Sequence, residues 1–211
     1  MALIHDATLS PTKLELLSEW LPSREWCAQD PAAPLERAGA FRFDDPAGEV
    51  GVEILLVCSG DALVQQVPLT YRAEPFAAGE GWLIGTMEHS VLGQRWVYDA
   101  TGDPVYVAAL AATILGGGTQ APEYLEVDGR QQARAVLAEA VGSGSSSPDL
   151  EPIESVAVET VDGITAISAG ALELSVLRTP GSDAAPLGAE TLTGTWAGQT
   201  TPVLLAYAVE R

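Results

Sequence analysis

The pattern Ser10-Pro11-Thr12-Lys13 has the Ser-x-x-Lys spacing of serine acyl-enzymes, in which a serine acts as nucleophile and a lysine assists. The other motifs of those enzymes are absent from the sequence. The same residues also fit a helix start, with Ser10 as the N-cap and Pro11 at the first helical position. The helix start is the simpler interpretation, and a nucleophile is the alternative.

Two histidines and two cysteines are the other side chains with obvious chemistry: His5, His89, Cys27 and Cys58. A zinc site needs three or four ligands at short, paired spacings, so no metal is predicted. Each histidine is predicted to be solvated or locally hydrogen-bonded, with catalysis as the alternative. The cysteines are predicted to be thiols in a reducing cytoplasm, with Cys58 buried in a strand; a Cys27–Cys58 disulfide is the alternative.

Gly116-Gly117-Gly118-Thr119 has the composition of a phosphate loop, but it follows a predicted helix instead of preceding one. A helix C-cap is therefore the better interpretation. The 29 acidic residues supply many carboxylates, yet a glycosidase pair is defined by separation in a cleft, which spacing in the sequence does not give. No catalytic residue is predicted from these motifs.

The charge balance is 10 basic against 29 acidic residues, a formal net charge of −19. Binding to nucleic acid or to an anionic membrane requires basic residues, so neither partner is expected. No apolar run approaches the roughly 20 residues of a membrane span, and the first residues lack the features of a signal peptide. The composition predicts an acidic, soluble, cytoplasmic protein, and recognition of a basic partner is the alternative use of the charge.

Periodicity predicts three helices. In the first, Leu14, Leu17 and Leu21 recur at helical spacing, and Pro22 ends the helix. The second starts at Asp103-Pro104, ends at Gly116-Gly117-Gly118, and is apolar on nearly all sides, so it should be buried. The third is predicted from Gly129 to Val141.

Alternating apolar residues predict two groups of short antiparallel strands. Short connections favour a meander for the first group, in which Pro68 suggests an edge strand or a bulge. Gly142–Pro148 reads as a linker between the groups, and Asp162-Gly163 as a hairpin turn. The predicted strands lie at Ala40–Phe43, Val50–Cys58, Gln66–Arg72, Trp82–Ile84 and Leu92–Tyr98, and then at Ser155–Val161, Thr165–Ser168, Leu172–Arg178, Leu192–Trp196 and Val203–Val209.

Several motifs, in order and at matching spacing, resemble the N-terminal cap domain of bacterial maltokinases over residues 1–116. They are Trp20-Leu21-Pro22 with Trp26, Gln66-Val67-Pro68-Leu69-Thr70-Tyr71-Arg72, Leu83-Ile84-Gly85, Tyr98-Asp99-Ala100 and Asp103-Pro104. The resemblance implies an α+β fold in which a curved antiparallel sheet is wrapped by helices, a cystatin-like cap.

We expect three segments: the cap-like domain (1–116), a helix and Gly/Ser linker (117–148), and a small antiparallel β-rich subdomain that resembles a kinase N-lobe (149–211). In the last, Leu174–Arg178 stands where a kinase carries its nucleotide-contacting strand. A kinase has lysine there, whereas the only lysine of this chain is Lys13. The resemblance therefore implies Arg178 as a candidate phosphate contact.

Phosphoryl transfer needs a catalytic Asp and ligands for Mg²⁺ in a second lobe. Neither histidine is followed by Gly-Asp or Arg-Asp, no Asp-Phe-Gly segment is present, and the sequence ends at Arg211, where that lobe would begin. We therefore expect a stand-alone, non-catalytic protein that has no cofactor.

The function expected from this resemblance is an interaction or regulatory module with a protein partner in maltose, trehalose or α-glucan metabolism. The alternatives are the ATP-binding part of a split sugar kinase and a carbohydrate-binding module. Trp20, Arg24 and Trp26 are the candidate surface for a partner or a sugar, because Trp and Arg are common interface anchors. Packing of both tryptophans against the sheet is the alternative.

Overall fold

The computed structural model describes residues 2–4, 7–127, 130–145 and 151–210. The chain is mostly antiparallel β-structure, with two α-helices, α1 (Lys13–Trp20) and α2 (Pro104–Gly116), in these ranges. The strands are β1 (Ala2–Ile4), β2 (Leu9–Ser10), β3 (Leu35–Phe43), β4 (Gly51–Ser59), β5 (Gln65–Arg72), β6 (Leu83–His89), β7 (Gly93–Asp99), β8 (Glu123–Val127), β9 (Arg130–Arg134), β10 (Ala138–Gly142), β11 (Ala157–Val161), β12 (Ile164–Ala169), β13 (Leu172–Leu177), β14 (Glu190–Trp196) and β15 (Gln199–Glu210).

The first sheet has the strand order β2-β6-β7-β5-β4-β3, and all of its pairs are antiparallel. Strand β4, which lies between β5 and the edge strand β3, is buried on both faces. Alternate residues of β4 explain this, because Leu55 and Val57 pack under α1 while Ile54 and Leu56 pack with α2. The sheet therefore lies between two apolar clusters.

The second sheet has the order β10-β14-β15-β13-β12-β11 and is also antiparallel. The predicted turn between β11 and β12 is confirmed, since Asp162 and Gly163 both have positive φ, at 50° and 78°. A third, three-stranded sheet joins β1 in parallel to β8, which pairs with β9. The second β-rich part of the chain thus agrees with the expectation.

The N-cap of helix α1 lies two residues later than the predicted N-cap, Ser10. The N-cap is Thr12, whose side chain accepts a hydrogen bond from the Glu15 backbone N–H, while the Glu15 carboxylate accepts from the Thr12 N–H. This reciprocal pair is a capping box. Ser10 instead ends β2, which pairs with β6.

Helix α2 begins and ends as predicted. Asp103 is the N-cap, Pro104 is at the first position, and Gly117 ends the helix with φ of +62°, a left-handed conformation that glycine adopts without strain. The helix lies in one apolar cluster with both large sheets. That cluster includes Phe41, Ile54, Leu110, Ile114, Ile167, Leu174, Val176 and Leu205. The two parts of the chain therefore share a core.

The predicted helix from Gly129 to Val141 is wrong, because this segment contains β9 and β10. Its residues are good helix formers, but tertiary pairing overrides propensity. In β10, Ala138 and Ala140 face the core while Glu139 and Val141 face outward, which is the period-2 pattern of an edge strand.

The linker predicted from Gly142 is wrong for its first residues. A side chain at Gly142 would lie 2.0 Å from the carbonyl oxygen of Thr113, and one at Gly144 would lie 2.0 Å from that of Leu115. The Gly144 N–H also donates to the Ile114 carbonyl. These glycines let the chain contact the end of α2. Residues 146–150 of the predicted linker lie outside the described residues.

Strand β5, which contains Pro68, is not an edge strand, because it pairs with β4 and with β7. Its ladder with β7 begins only at Leu69, so Pro68, which has no N–H, lies beyond the β7 pairing. The helices cover the first sheet only in part, since one helix lies on each face. No helix in the described ranges is long and apolar enough to cross a membrane.

Candidate functional site

A cleft of about 690 Å³ lies between the first part of the chain and the second sheet. Three of the four candidate site residues line it: Arg24, Trp26 and Arg178. Trp26 and Arg178 are predicted on separate grounds, and they are 152 positions apart in the sequence. The other lining residues are Ser23, Glu25, Cys27, Ala28, Trp82, Asp99, Thr160, Asp162, Gly163 and Thr179.

Arg178 forms the floor of the cleft and is only 1% exposed. Its Nη2 donates to Oδ2 of Asp99 at 2.8 Å, and its Nε donates to Oγ1 of Thr165 at 2.8 Å. The Trp26 ring lies over the guanidinium, 4.4 Å from Cζ to the ring centroid. Nη1 is buried and has no hydrogen-bond partner among the described residues. Most of the Arg178 guanidinium is therefore held by hydrogen bonds and ring contact from the protein itself, and Nη1 is the exception.

The Arg178–Asp99 ion pair joins the two parts of the chain. Asp99 ends β7 in the first sheet and accepts two further bonds at Oδ1, from the N–H and the hydroxyl of Thr101. Arg178 follows β13 in the second sheet, where its N–H donates to the Gly163 carbonyl. A buried charge is tolerated only when it is paired and hydrogen-bonded, and this pair meets both conditions.

Two other residues of the motifs, Gln66 and Arg72, make hydrogen bonds that connect separate elements of the fold. Gln66 Nε2 donates to the carbonyls of Leu177 and Leu205 in the second sheet, at 2.6 and 2.5 Å. Arg72 makes two bonds to the Asp103 carboxylate, at 2.9 and 2.8 Å, and so fixes the N-cap of α2. The motifs that carry the resemblance therefore hold the two sheets and α2 together.

Trp20, Arg24 and Trp26 form a half-buried group at the end of α1. The two indole rings meet edge to face with centroids 5.8 Å apart, and the Arg24 guanidinium lies 5.1 Å from the Trp20 ring centroid. Both tryptophans also pack against the cluster under α1. The group therefore combines core packing with an accessible surface, and Trp20 lies outside the lining of the cleft.

The remaining candidates take local roles. His89 Nδ1 accepts hydrogen bonds from the N–H groups of Val91 and Leu92. Cys27 and Cys58 are half-buried free thiols. His5 lies outside the described residues. Within the described ranges, no group of three or more His, Cys, Asp and Glu side chains could hold a metal ion.

Sequence reasoning missed a buried ionic cluster on β4, in which Glu53 is only 5% exposed. Its Oε2 accepts from Lys13 Nζ at 2.5 Å and from the Tyr71 hydroxyl at 2.7 Å, and Arg42 Nη2 lies 3.3 Å from Oε1. The sequence feature that could have predicted this cluster is Glu53 itself, a charged residue inside an otherwise apolar strand.

The cluster shifts the ionisation of its members. Burial alone would raise the pKa of Glu53, but the charges of Arg42 and Lys13 outweigh burial and hold that pKa far below its ordinary value. Burial, together with the Glu53 charge, raises the pKa of the Tyr71 phenol well above its ordinary value. At neutral pH the cluster contains two cations and one carboxylate.

In a comparison with protein families, residues 20–103 match the family described as the maltokinase N-terminal cap domain. This match confirms the resemblance over residues 20–103. Among solved structures, the chain is similar to a glucosamine kinase in complex with glucosamine, ADP and inorganic phosphate, at 16% identity and a TM-score of 0.47. That alignment covers 95% of this chain and 41% of the kinase chain. No curated protein sequence matches the chain.

Proposed function

We propose that this chain is a non-catalytic binding module of sugar-kinase type, which acts in the cytoplasm on a protein partner in maltose, trehalose or α-glucan metabolism. The match of residues 20–103 to the maltokinase N-terminal cap family supports the link to sugar kinases. The single observation that carries the non-catalytic role is that Arg178 is already bound within the protein. Its guanidinium pairs with the buried Asp99 carboxylate at 2.8 Å, lies under the Trp26 ring, and so joins the two sheets.

The group Trp20, Arg24 and Trp26 is the proposed contact surface for that partner. Partly exposed tryptophan with a stacked arginine supplies a large contact area and hydrogen-bond donors at small entropic cost. The acidic charge of the chain would favour a partner that presents basic residues around this surface.

Biolayer interferometry tests this role. The full chain is immobilised, and purified enzymes that make or consume maltose, trehalose and α-glucan are titrated in turn. Saturable binding of one enzyme is expected, and Arg24→Ala should weaken it by roughly tenfold or more, as at an interface anchor. Arg37→Ala, at an exposed position on β3, is the matched control and should have no effect. Absence of binding to every enzyme in the panel contradicts the proposal.

The cleft supports carbohydrate binding as a second candidate function. Sugars present apolar C–H faces and hydroxyl edges, and the cleft offers both Trp26 and Trp82 beside the polar groups of Asp162 and Thr160. Trp82 is held in position against Gly102, where an added Cβ would lie 2.3 Å from the indole. The expected ligands are maltose or short α-glucans.

Tryptophan fluorescence distinguishes this second function from the first. Titration with maltose and maltotetraose should change the emission of the wild-type chain, and Trp26→Phe should remove most of the change. Trp96→Phe, outside the cleft lining, is the control that keeps it. Emission that stays constant up to millimolar sugar excludes the carbohydrate function and leaves partner binding intact.

Arg178 as a nucleotide contact, the basis of the split-kinase alternative, stays a prediction. Calorimetric titration with Mg-ATP tests it, because a phosphate group would have to reach the unpaired Nη1 past Trp26. Saturable heat that disappears in a folded Arg178→Met variant would favour that alternative over the binding module.

A further inference from the structure

A second pocket, of about 480 Å³, lies on the first sheet and shares no lining residue with the cleft. Its floor is the ionic cluster of Lys13, Arg42 and Tyr71 around Glu53, and its rim includes Arg95. Three of the ten basic residues of this acidic chain therefore line a single pocket. Its volume is in the range of small-molecule sites.

The floor of this pocket has more positive charge and more donors than the protein satisfies. Lys13 and Arg42 both pair with the carboxylate of Glu53. The buried Glu123 carboxylate also acts on Arg42, but it lies 3.9 Å from Arg134 as well, so three cations face two carboxylates. The Lys13 ammonium has three N–H donors and gives one to Glu53. Arg42 Nε is buried without a hydrogen-bond partner among the described residues, which is costly unless an acceptor reaches it.

Among the described residues, the ion pairs of Lys13 and Arg42 are with Glu53 and not with the rim carboxylates. Asp45 accepts from the backbone N–H groups of Ala47, Glu49 and Val50, so its oxygens are occupied in its own turn. The Asp44 and Glu49 side chains are exposed to solvent at the edge. The distant acidic residues of the chain are screened beyond the Debye length, about 8 Å at physiological salt.

The rest of the lining is mostly apolar, with His89 as a polar member. Phe43, Val52 and Met87 are buried side chains that also line the pocket, and Leu92 extends this surface outward. A ligand with a charged head and a short apolar body would match the pocket better than a free inorganic ion. The Lys13 ammonium also lies 5.2 Å from the Tyr71 ring centroid, which holds the charge in place.

We propose that this pocket binds a small molecule that carries an oxyanion, a carboxylate or a phosphate, on an apolar body. The oxyanion accepts hydrogen bonds from Lys13 and Arg42 at the floor, and Arg95 adds charge at the rim. The apolar body packs against Met87 and Leu92. This site is separate from the proposed function and does not depend on it.

Calorimetry on the full chain tests the site with three probes: hexanoate, hexyl phosphate and inorganic phosphate. Hexanoate and hexyl phosphate should bind saturably and more tightly than inorganic phosphate, and the stronger of the two identifies the head group. Lys13→Met should weaken binding by about tenfold, the loss of one charge-assisted hydrogen bond. Arg37→Gln is the matched control for net charge and should leave binding unchanged.

Glu53→Gln separates a binding site from a purely structural cluster. It keeps the shape of the side chain and removes the competing negative charge, so a folded variant should bind both hexyl probes more tightly than the wild type. Circular dichroism checks the fold, and if this variant does not fold, the Lys13→Met and Arg37→Gln pair decides. No saturable binding to the wild-type chain, or equal weakening by Lys13→Met and Arg37→Gln, overturns the proposal.

Discussion

At the scale of single residues, Arg178 and Asp99 illustrate what a sequence shows and what it hides. The resemblance singled out both positions, Arg178 as a candidate phosphate contact and Asp99 within a cap motif. The sequence does not show that they pair, because 79 residues separate them and a buried ion pair leaves no local pattern. In the structure, the two residues have one shared role, because their ion pair joins the two sheets.

Removing one partner of this pair should be strongly destabilising. Arg178→Met leaves the Asp99 carboxylate buried and unpaired, and we expect a loss of roughly 3–5 kcal/mol in the free energy of unfolding. The double variant Arg178→Met/Asp99→Asn should lose much less than the sum of the single variants. Urea unfolding measures all three proteins. Additive losses would show that the pair is not coupled.

Glu53 should make stability depend on pH. Its folded pKa is lowered by Arg42 and Lys13, so its contribution is present above the unfolded pKa of about 4.5 and is lost as pH falls toward the folded value. The difference in free energy of unfolding between the wild type and Glu53→Gln should therefore be larger at pH 7 than at pH 3. Urea unfolding at both values measures it, and an equal difference refutes the assignment.

At the scale of secondary-structure elements, prediction succeeded where the local signal and the tertiary pattern agree. Helix α2 has Asp103 and Pro104 at its start and glycine at its end, and the structure places both boundaries there. The helix prediction for the segment 130–142 failed because its helix-forming residues pair in strands. β9 forms a hairpin with the preceding strand β8, and β10 pairs with β14, which is far away in the sequence. Gly142 and Gly144 looked like part of a linker because the residues they pack against, at the end of α2, are not their neighbours in the sequence.

Those glycines should not tolerate a side chain. Gly144→Ala places a Cβ 2.0 Å from the Leu115 carbonyl oxygen, so the chain must move away from α2, with a loss of roughly 1–3 kcal/mol in the free energy of unfolding. Gly81→Ala is the matched control, because nothing lies within 4 Å of its added Cβ. Chemical denaturation compares the two variants, and equal stability would contradict the close contact.

At the scale of the whole molecule, the sequence predicted two parts of the chain but not that they share one hydrophobic core. The apolar cluster around α2 contains residues of both large sheets, and the ion pair and Gln66 add polar connections. The alternating strands were enough to predict an antiparallel sheet and a second β-rich part, but the expected α+β class, with helices wrapped around the first sheet, overstates the helices of this mostly antiparallel β-structure. The shared core and the cleft arise from contacts between those parts, which no local pattern records.

A shared core predicts a single cooperative unfolding transition. Differential scanning calorimetry should give one peak whose calorimetric and van't Hoff enthalpies agree. Two resolved transitions would show that the cap domain and the second sheet unfold independently.

The central claim, that this chain binds without transferring phosphate, is tested most directly by ³¹P NMR of the purified chain with Mg-ATP and maltose. The account predicts that the ATP resonances stay unchanged. A sugar-phosphate resonance that grows in proportion to protein concentration, and is lost in a folded Arg178→Met variant, would contradict it.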